Sequence, residues 1–74
     1  MDLKRAVAAA KQHVSNLFAP ETPQNLRLEN FVYDDHLGVW SLEIGYALPE
    51  EQARGYKIVR VSEANRSVLS VRDR

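Results

Sequence analysis

The chain has 74 residues, enough for one small domain that spans residues 1–74. Basic and acidic residues balance, and the absence of cysteine excludes disulfides and thiolate metal sites. No apolar run approaches the roughly 18 residues that span a bilayer, and the N-terminal pattern is unlike that of a signal peptide, so we expect a cytoplasmic protein with no membrane partner. A domain of this size buries only about 60% of the surface of its unfolded chain, so its stability is expected to be marginal.

Charge is distributed unevenly along the chain. Residues 1–18 carry three basic residues and one acidic residue, residues 19–51 carry one basic and seven acidic, and residues 52–74 carry six basic and two acidic. Such asymmetry can steer a charged partner towards one region of a protein. Adjacent strands that neutralise each other across a sheet would produce the same pattern, and we favour this second interpretation.

The first segment, residues 3–18, has the pattern of an amphipathic helix. Its apolar residues recur at alternating steps of four and three: Leu3, Val7, Ala10, Val14 and Leu17. Asp2 is a suitable N-cap, because its side chain can accept a hydrogen bond from an unpaired amide of the first turn. Pro20 is expected to end the helix, because proline disfavours helical geometry at the preceding residue.

Two strands joined by a tight turn at residues 34–38 are predicted next. Residues 39–46 alternate regularly and place four apolar side chains on one face: Trp40, Leu42, Ile44 and Tyr46. In residues 26–33 the alternation of apolar and polar residues is interrupted at Asn30. A bulge near Asn30 would return Phe31 and Tyr33 to the face of the preceding leucines, whereas a regular strand would place them on the opposite face. The sequence leaves both alternatives open.

The last third of the chain has the pattern of a β-hairpin. The apolar runs at residues 56–61 and 67–71 flank the polar segment at residues 63–66. The first run is apolar on both faces: Tyr56 and Ile58 lie on one, Val59 and Val61 on the other. Consecutive strands with short connections usually pair, so we predict an α+β fold in which one N-terminal helix packs on a four-stranded antiparallel β-meander.

Patterns that would indicate catalysis are weak. His36 lies beside Asp34 and Asp35 in the predicted turn, but a metal site or a general base would need ligands from elsewhere, so we expect a solvated turn. The three glycines are dispersed and form no phosphate-binding loop. We therefore predict no enzyme activity, no metal and no cofactor. The glycosylation pattern at residues 65–67 is interpreted as turn chemistry.

Four aromatic residues are candidates either for lining a ligand pocket or for forming the core: Phe31, Tyr33, Trp40 and Tyr56. In a domain this small we expect them to form the core itself, because aromatic side chains supply the largest buried area per residue. One helix and one sheet leave little volume for a cavity.

Basic residues in the C-terminal hairpin suggest single-stranded nucleic-acid binding as an alternative function. They lie near Tyr56, and basic groups beside an aromatic ring can hold phosphates and stack a base: Lys57, Arg60, Arg66, Arg72 and Arg74. The neutral net charge argues against this function, as does the placement of Lys57 and Arg60 on opposite faces of one strand.

Three segments of the chain resemble PepSY-type domains: the helix AVAAAKQHVSNLF, the strand pair FVYDDHLGVWSLEIGY and the closing hairpin YKIVRVSEANRSVLSV. The resemblance spans about Val7 to Val71. Ser62 stands where that family usually has aspartate, and Arg66 stands where a turn glycine is typical. The resemblance implies a non-catalytic binding or inhibitory module, often one that regulates a protease. Cystatin-like folds share the helix-on-sheet arrangement more distantly.

We expect a non-catalytic protein–protein interaction or regulatory module, with a second copy of the chain as one candidate partner. One helix covers one face of a sheet, so apolar residues on the other face are left for a partner. Burying about 200 Å² of such surface at ~25 cal/mol per Å² would contribute roughly 5 kcal/mol before association costs. Candidate contact residues come from both faces and the last turn: Val39, Tyr56, Ile58, Val59, Arg60, Val61 and Arg66.

Overall fold

A computed structural model describes residues 3–50 and 53–74 of the protein. It contains one helix and four strands: α1 (Leu3–Leu17), β1 (Gln24–Asp34), β2 (Val39–Ala47), β3 (Gly55–Ser62) and β4 (Val68–Asp73). The strands form one antiparallel sheet in the order β1-β2-β3-β4, so each strand pairs with the next in sequence. The predicted α+β fold, a helix followed by a four-stranded antiparallel meander, is confirmed.

Helix α1 packs on one face of the sheet through a row of small side chains. Ala6, Ala10 and Val14 are fully buried, and their spacing of four residues places them on one side of the helix. Two alanines in this row allow the helix backbone to approach the sheet closely. The side chains of the sheet that complete the core are Leu42, Ile44, Tyr46, Val59 and Val61. The predicted N-cap, Asp2, lies outside the described residues.

Strand β1 contains a bulge at Glu29. Leu28 and Asn30 face two consecutive residues of β2, so Glu29 is the extra residue in the ladder. The bulge restores the alternation that slips in the sequence, and Phe31 and Tyr33 therefore point to the same face as Leu28. Of the two alternatives that the sequence leaves open, the structure adopts the bulged strand.

The register of β2 and β3 decides which face of the sheet lies under the helix. Val59 is paired with Leu42 and Val61 with Trp40, and both valines are fully buried in the core. Tyr56 and its face-mates point away from the helix, to the side that we call the open face. The open face carries residues from all four strands: Asn30, Val32, Asp34, Val39, Ser41, Glu43, Tyr56, Ile58, Arg60, Ser70 and Arg72.

The turn between β1 and β2 has the chemistry that its sequence predicts. The Asp34 carboxylate accepts hydrogen bonds from the backbone N–H groups of His36 and Leu37, at 3.0 and 3.1 Å. Gly38 has a φ of 64°, which a glycine adopts at little cost. The turn thus sets the register in which β2 returns along β1.

The aromatic residues are not all in the core, and the prediction of a core position is wrong for Phe31, Tyr33 and Tyr56, of which Tyr56 lies on the open face. Tyr46 is buried, but Phe31 and Tyr33 remain 48% and 41% exposed. A helix is about 10 Å wide, whereas four strands spaced about 4.8 Å apart make a sheet roughly twice that width. A single helix therefore leaves part of an edge strand uncovered, and β1 is an edge strand.

Candidate interaction surfaces

The open face has an exposed apolar patch that no described helix covers. Val32 on β1 is 60% exposed, and Ile58 on β3 is partly exposed. Both line a shallow depression together with Ser41, Glu43 and Arg72. An apolar centre with a polar and charged rim is the usual anatomy of a protein–protein contact surface.

Two arginines of the open face, Arg60 and Arg72, stand out because no ion pair is found for them in the described part of the chain. Arg60 pairs with Ser70 in the ladder and Arg72 pairs with Ile58, so the alternation of β3 and β4 brings both guanidinium groups to the same face. Neither takes part in an ion pair among the residues that the structure describes. Their charge is therefore available to an acidic ligand.

Other charged groups of the open face neutralise each other. Arg74 forms an ion pair with Glu43 at 3.0 Å, and its guanidinium carbon lies 3.9 Å from the centre of the Tyr56 ring. At the other end of this face, Glu29 lies between Arg27 and Arg54, at 3.7 and 3.9 Å. The pairing of acidic and basic segments across the sheet that the sequence suggests is thus present for Glu29 and Glu43.

The predicted contact residues fall into three groups. Val59 and Val61 are fully buried under α1, so they belong to the core and have no surface to offer a partner. Val39 lies on the open face, but only 6% of it is exposed, so it offers a partner little surface. The sequence could not separate these groups, because both faces of β3 are apolar.

The remaining predicted contact residues are accessible. Tyr56, Ile58 and Arg60 lie side by side along the open face of β3, each partly exposed. Arg66 is exposed in the turn between β3 and β4, where it has a φ of 60°. Ser67 donates hydrogen bonds from its backbone N–H and its hydroxyl to the Asn65 side chain, at 3.1 and 2.7 Å, which stabilises this turn.

Lys57 lies on the helix side of the sheet, so the basic residues of the hairpin do not form one surface. Its ammonium group forms an ion pair with Asp73 on β4 and lies 5.8 Å from the centre of the Phe18 ring. The hydrogen bond to Asp73 raises the pKa of Lys57 above its ordinary value of 10.5. Because the pKa is higher in the folded state, this contribution to stability is fully present below pH 10.5 and is lost only as the pH rises beyond it.

A cluster of three aromatic rings, which sequence reasoning missed as a surface, lies at the end of β1 on the helix side of the sheet. We call Phe31, Tyr33 and Trp40 the aromatic cluster. The ring centres of Phe31 and Tyr33 lie 6.2 and 4.7 Å from that of Trp40. The indole N–H of Trp40 donates a hydrogen bond to Glu63 at 2.7 Å, which holds the ring in place. The sequence predicts four strands and only one helix. Because one helix is narrower than four strands, this count is the signal that would have indicated an exposed aromatic cluster.

The described residues include neither a cluster of metal ligands nor a helix that could span a membrane. Within residues 3–50 and 53–74, no group of three or more histidine and acidic side chains is placed to hold a metal ion. His36 is exposed in the turn after β1. In the same part of the chain, no helix has the length and apolar character that crossing a bilayer requires.

No protein-family model, curated protein or solved structure matches the chain. The resemblance to PepSY-type domains therefore stays a prediction from the sequence. The contacts, burial and charge of the surfaces described above are the basis for a functional hypothesis.

Proposed function

We propose that the protein is a non-catalytic protein-interaction module that binds its partner through the open face of the sheet. The observation that supports this most directly is the uncovered apolar patch at Val32 and Ile58, flanked by the unpaired charges of Arg60 and Arg72. Tyrosine and arginine, the residue types that are enriched in binding hot spots, also lie on this face.

The charge of the open face favours an acidic partner. Arg60 and Arg72 are left over after the ion pairs of Glu29 and Glu43 are formed, so the face has a basic excess. A second copy of the chain is the alternative partner, but two copies meeting face to face would bring like charges together. Binding to an acidic protein should weaken with added salt, whereas self-association through this face should strengthen.

Single-stranded nucleic-acid binding is the second candidate, because Arg60 and Arg72 share one face with Tyr56. Arg74 already lies over the Tyr56 ring, which leaves less of that ring for stacking with a base. If this function is the correct one, the chain should bind oligo(dT) with an affinity that falls steeply as salt is raised.

The test combines a mass measurement with a peptide selection. Sedimentation equilibrium from micromolar to millimolar concentration would detect a dimer, and a displayed random-peptide library would select acidic apolar ligands. We expect either a dimer or a selected acidic peptide, and in both cases amide shifts on the open face. Arg60→Glu should lower the affinity for an acidic ligand by about tenfold or more. Lys4→Glu is the matched control, because it reverses an exposed charge on the helix.

Three results would contradict the proposal. The first is a monomer at every concentration that selects no peptide. The second is binding that Arg60→Glu and Lys4→Glu change equally. The third is a chain that binds oligo(dT) and no peptide, which would favour the nucleic-acid alternative.

A further inference from the structure

The aromatic cluster lies beside the outer edge of β1, with which no strand in residues 3–50 and 53–74 pairs. β1 is the first strand in the sheet order, so β2 alone pairs with it. Phe31 and Tyr33 stand on this edge strand with nearly half of each side chain exposed, and the half-buried Trp40 lies behind them on β2. Contiguous exposed rings of this kind are unusual on a surface that meets only water, whereas single exposed apolar residues are common.

The last five residues of β1 are shaped to pair with another strand. From Asn30 to Asp34 the register with β2 is continuous, whereas the bulge and the charged residues Arg27 and Glu29 interrupt the first half of the strand. Bulges and charges are devices that protect a sheet edge from pairing, and neither occurs between Phe31 and Tyr33. The backbone N–H of Phe31 donates a hydrogen bond to the Asn30 side chain at 2.9 Å, a contact that an incoming strand could replace.

The charge at the end of this strand indicates the chemistry of the partner. Asp34 and Asp35 follow the aromatic cluster directly, are exposed, and take part in no ion pair among the described residues. Lysine or arginine in a bound segment would meet these carboxylates and could also lie over the exposed rings.

A second copy of the chain fits this edge poorly. Antiparallel pairing of two β1 strands about Val32 would place Asn30 opposite Asp34 of the other copy and would bring Glu29 towards its Asp35. The approach of like charges opposes that arrangement. The edge is therefore better matched to a different protein than to itself.

We infer that the edge of β1 binds an extended segment of another protein that has apolar residues at alternate positions and a lysine or arginine near Asp34 and Asp35. The segment adds a fifth strand to the sheet: main-chain hydrogen bonds supply affinity, and the aromatic cluster selects its apolar side chains. The aromatic cluster points to the helix side and the open-face patch points away from it, so the two surfaces are on opposite faces of the sheet and meet at Val32 on β1. Their preferred ligands differ in charge, which allows the two kinds of binding to be told apart.

The probe is a displayed library of random twelve-residue peptides, selected against the folded full-length chain. We expect enrichment of peptides that alternate apolar residues and contain lysine or arginine, and amide shifts of residues 30–35 when a synthetic copy of one peptide is added. The double variant Phe31→Thr/Tyr33→Thr should weaken binding by about tenfold or more, because it removes the rings but keeps strand propensity. Asp35→Lys should weaken it by about two- to fivefold.

Leu69→Thr is the matched control, because Leu69 is 51% exposed on the opposite edge strand β4, and it should leave the affinity unchanged. The inference is overturned if no basic apolar peptide is enriched, if Leu69→Thr weakens binding as much as the double variant, or if the amide shifts fall on Tyr56, Ile58 and Arg60 of β3 and not on residues 30–35. Acidic peptides that respond only to Arg60→Glu would support the proposed function and contradict this inference.

Discussion

At the scale of single residues, one glycine allows the end of the helix to close onto the sheet. Tyr46 lies over Gly55, and a Cβ atom on that glycine would come within 2.5 Å of the tyrosine ring. The same ring contacts Phe18, just after α1, with 4.9 Å between the ring centres. A side chain at Gly55 would therefore push the tyrosine against the residue that packs the end of the helix.

Gly55→Ala is expected to lower the free energy of unfolding by about 1–3 kcal/mol, because the added methyl group forces the Tyr46 ring out of its position. Urea unfolding, followed by Trp40 fluorescence and circular dichroism, measures the change. Gly45→Ala is the control, since the nearest atoms to a Cβ there belong to the Arg54 and Glu29 side chains, at 2.8 and 3.1 Å, and these chains can move aside more easily than a tyrosine ring. Equal losses in the two variants would show that the contact with the tyrosine ring has no special role.

At the scale of elements, the packing of α1 and the bulge of β1 together determine which side chains remain exposed. The buried row of α1 contains Ala6 and Ala10, so the helix lies close to the sheet rather than on top of long side chains. β1 uses its bulge to place Phe31 and Tyr33 on the helix side. The helix does not cover this corner of the sheet, and the two rings are left as a surface.

Two substitutions in α1, one at a buried and one at an exposed alanine, test whether the helix lies close to the sheet. Ala10→Leu should lower the free energy of unfolding by about 1–3 kcal/mol, because Ala10 is fully buried and three added carbon atoms have no space. Ala8→Leu makes the same substitution at an exposed position of the same helix and should change stability by less than about 0.5 kcal/mol. Thermal and urea unfolding of both variants tests this. Similar losses in the two would contradict the packing described here.

At the scale of the whole molecule, the fold has one face under the helix and two exposed apolar surfaces, the open-face patch and the aromatic cluster. Arg60 and Arg72 lie on the open face near β4, and Asp34 and Asp35 lie at the far end of β1, so basic and acidic groups that form no ion pair among the described residues are at different places on the sheet. The neutral net charge of the chain conceals this separation.

The covered face depends on the helix for its stability, which is testable by truncation. A chain without residues 1–19 is expected to lose cooperative thermal unfolding and amide dispersion in NMR spectra, because the sheet side chains of the core would meet water. Adding a synthetic peptide of residues 1–19 should restore part of the dispersion. A shortened chain that keeps a dispersed spectrum and a cooperative transition would show that the sheet is stable without the helix.

The sequence by itself determined the helix, the four strands and their order, because these depend on local signals: the spacing of apolar residues in α1, the alternation in β2, and the turn chemistry of Asp34 and Gly38. The alternation of β3 also separated Tyr56 and Ile58 from Val59 and Val61. The alternation does not indicate which of these two pairs lies under the helix, since both pairs are apolar and either pair would fill a core.

The tertiary structure decided three matters that local patterns leave open. Pairing with β2 showed that Glu29 is bulged, so Phe31 and Tyr33 point to the helix side. The packing of α1 buried Val59 and left Ile58 on the open face. The width of one helix against four strands exposed the aromatic cluster. Each of these outcomes depends on contacts between residues far apart in the chain, and hydrophobicity along the sequence carries no information about which of two equivalent faces is covered.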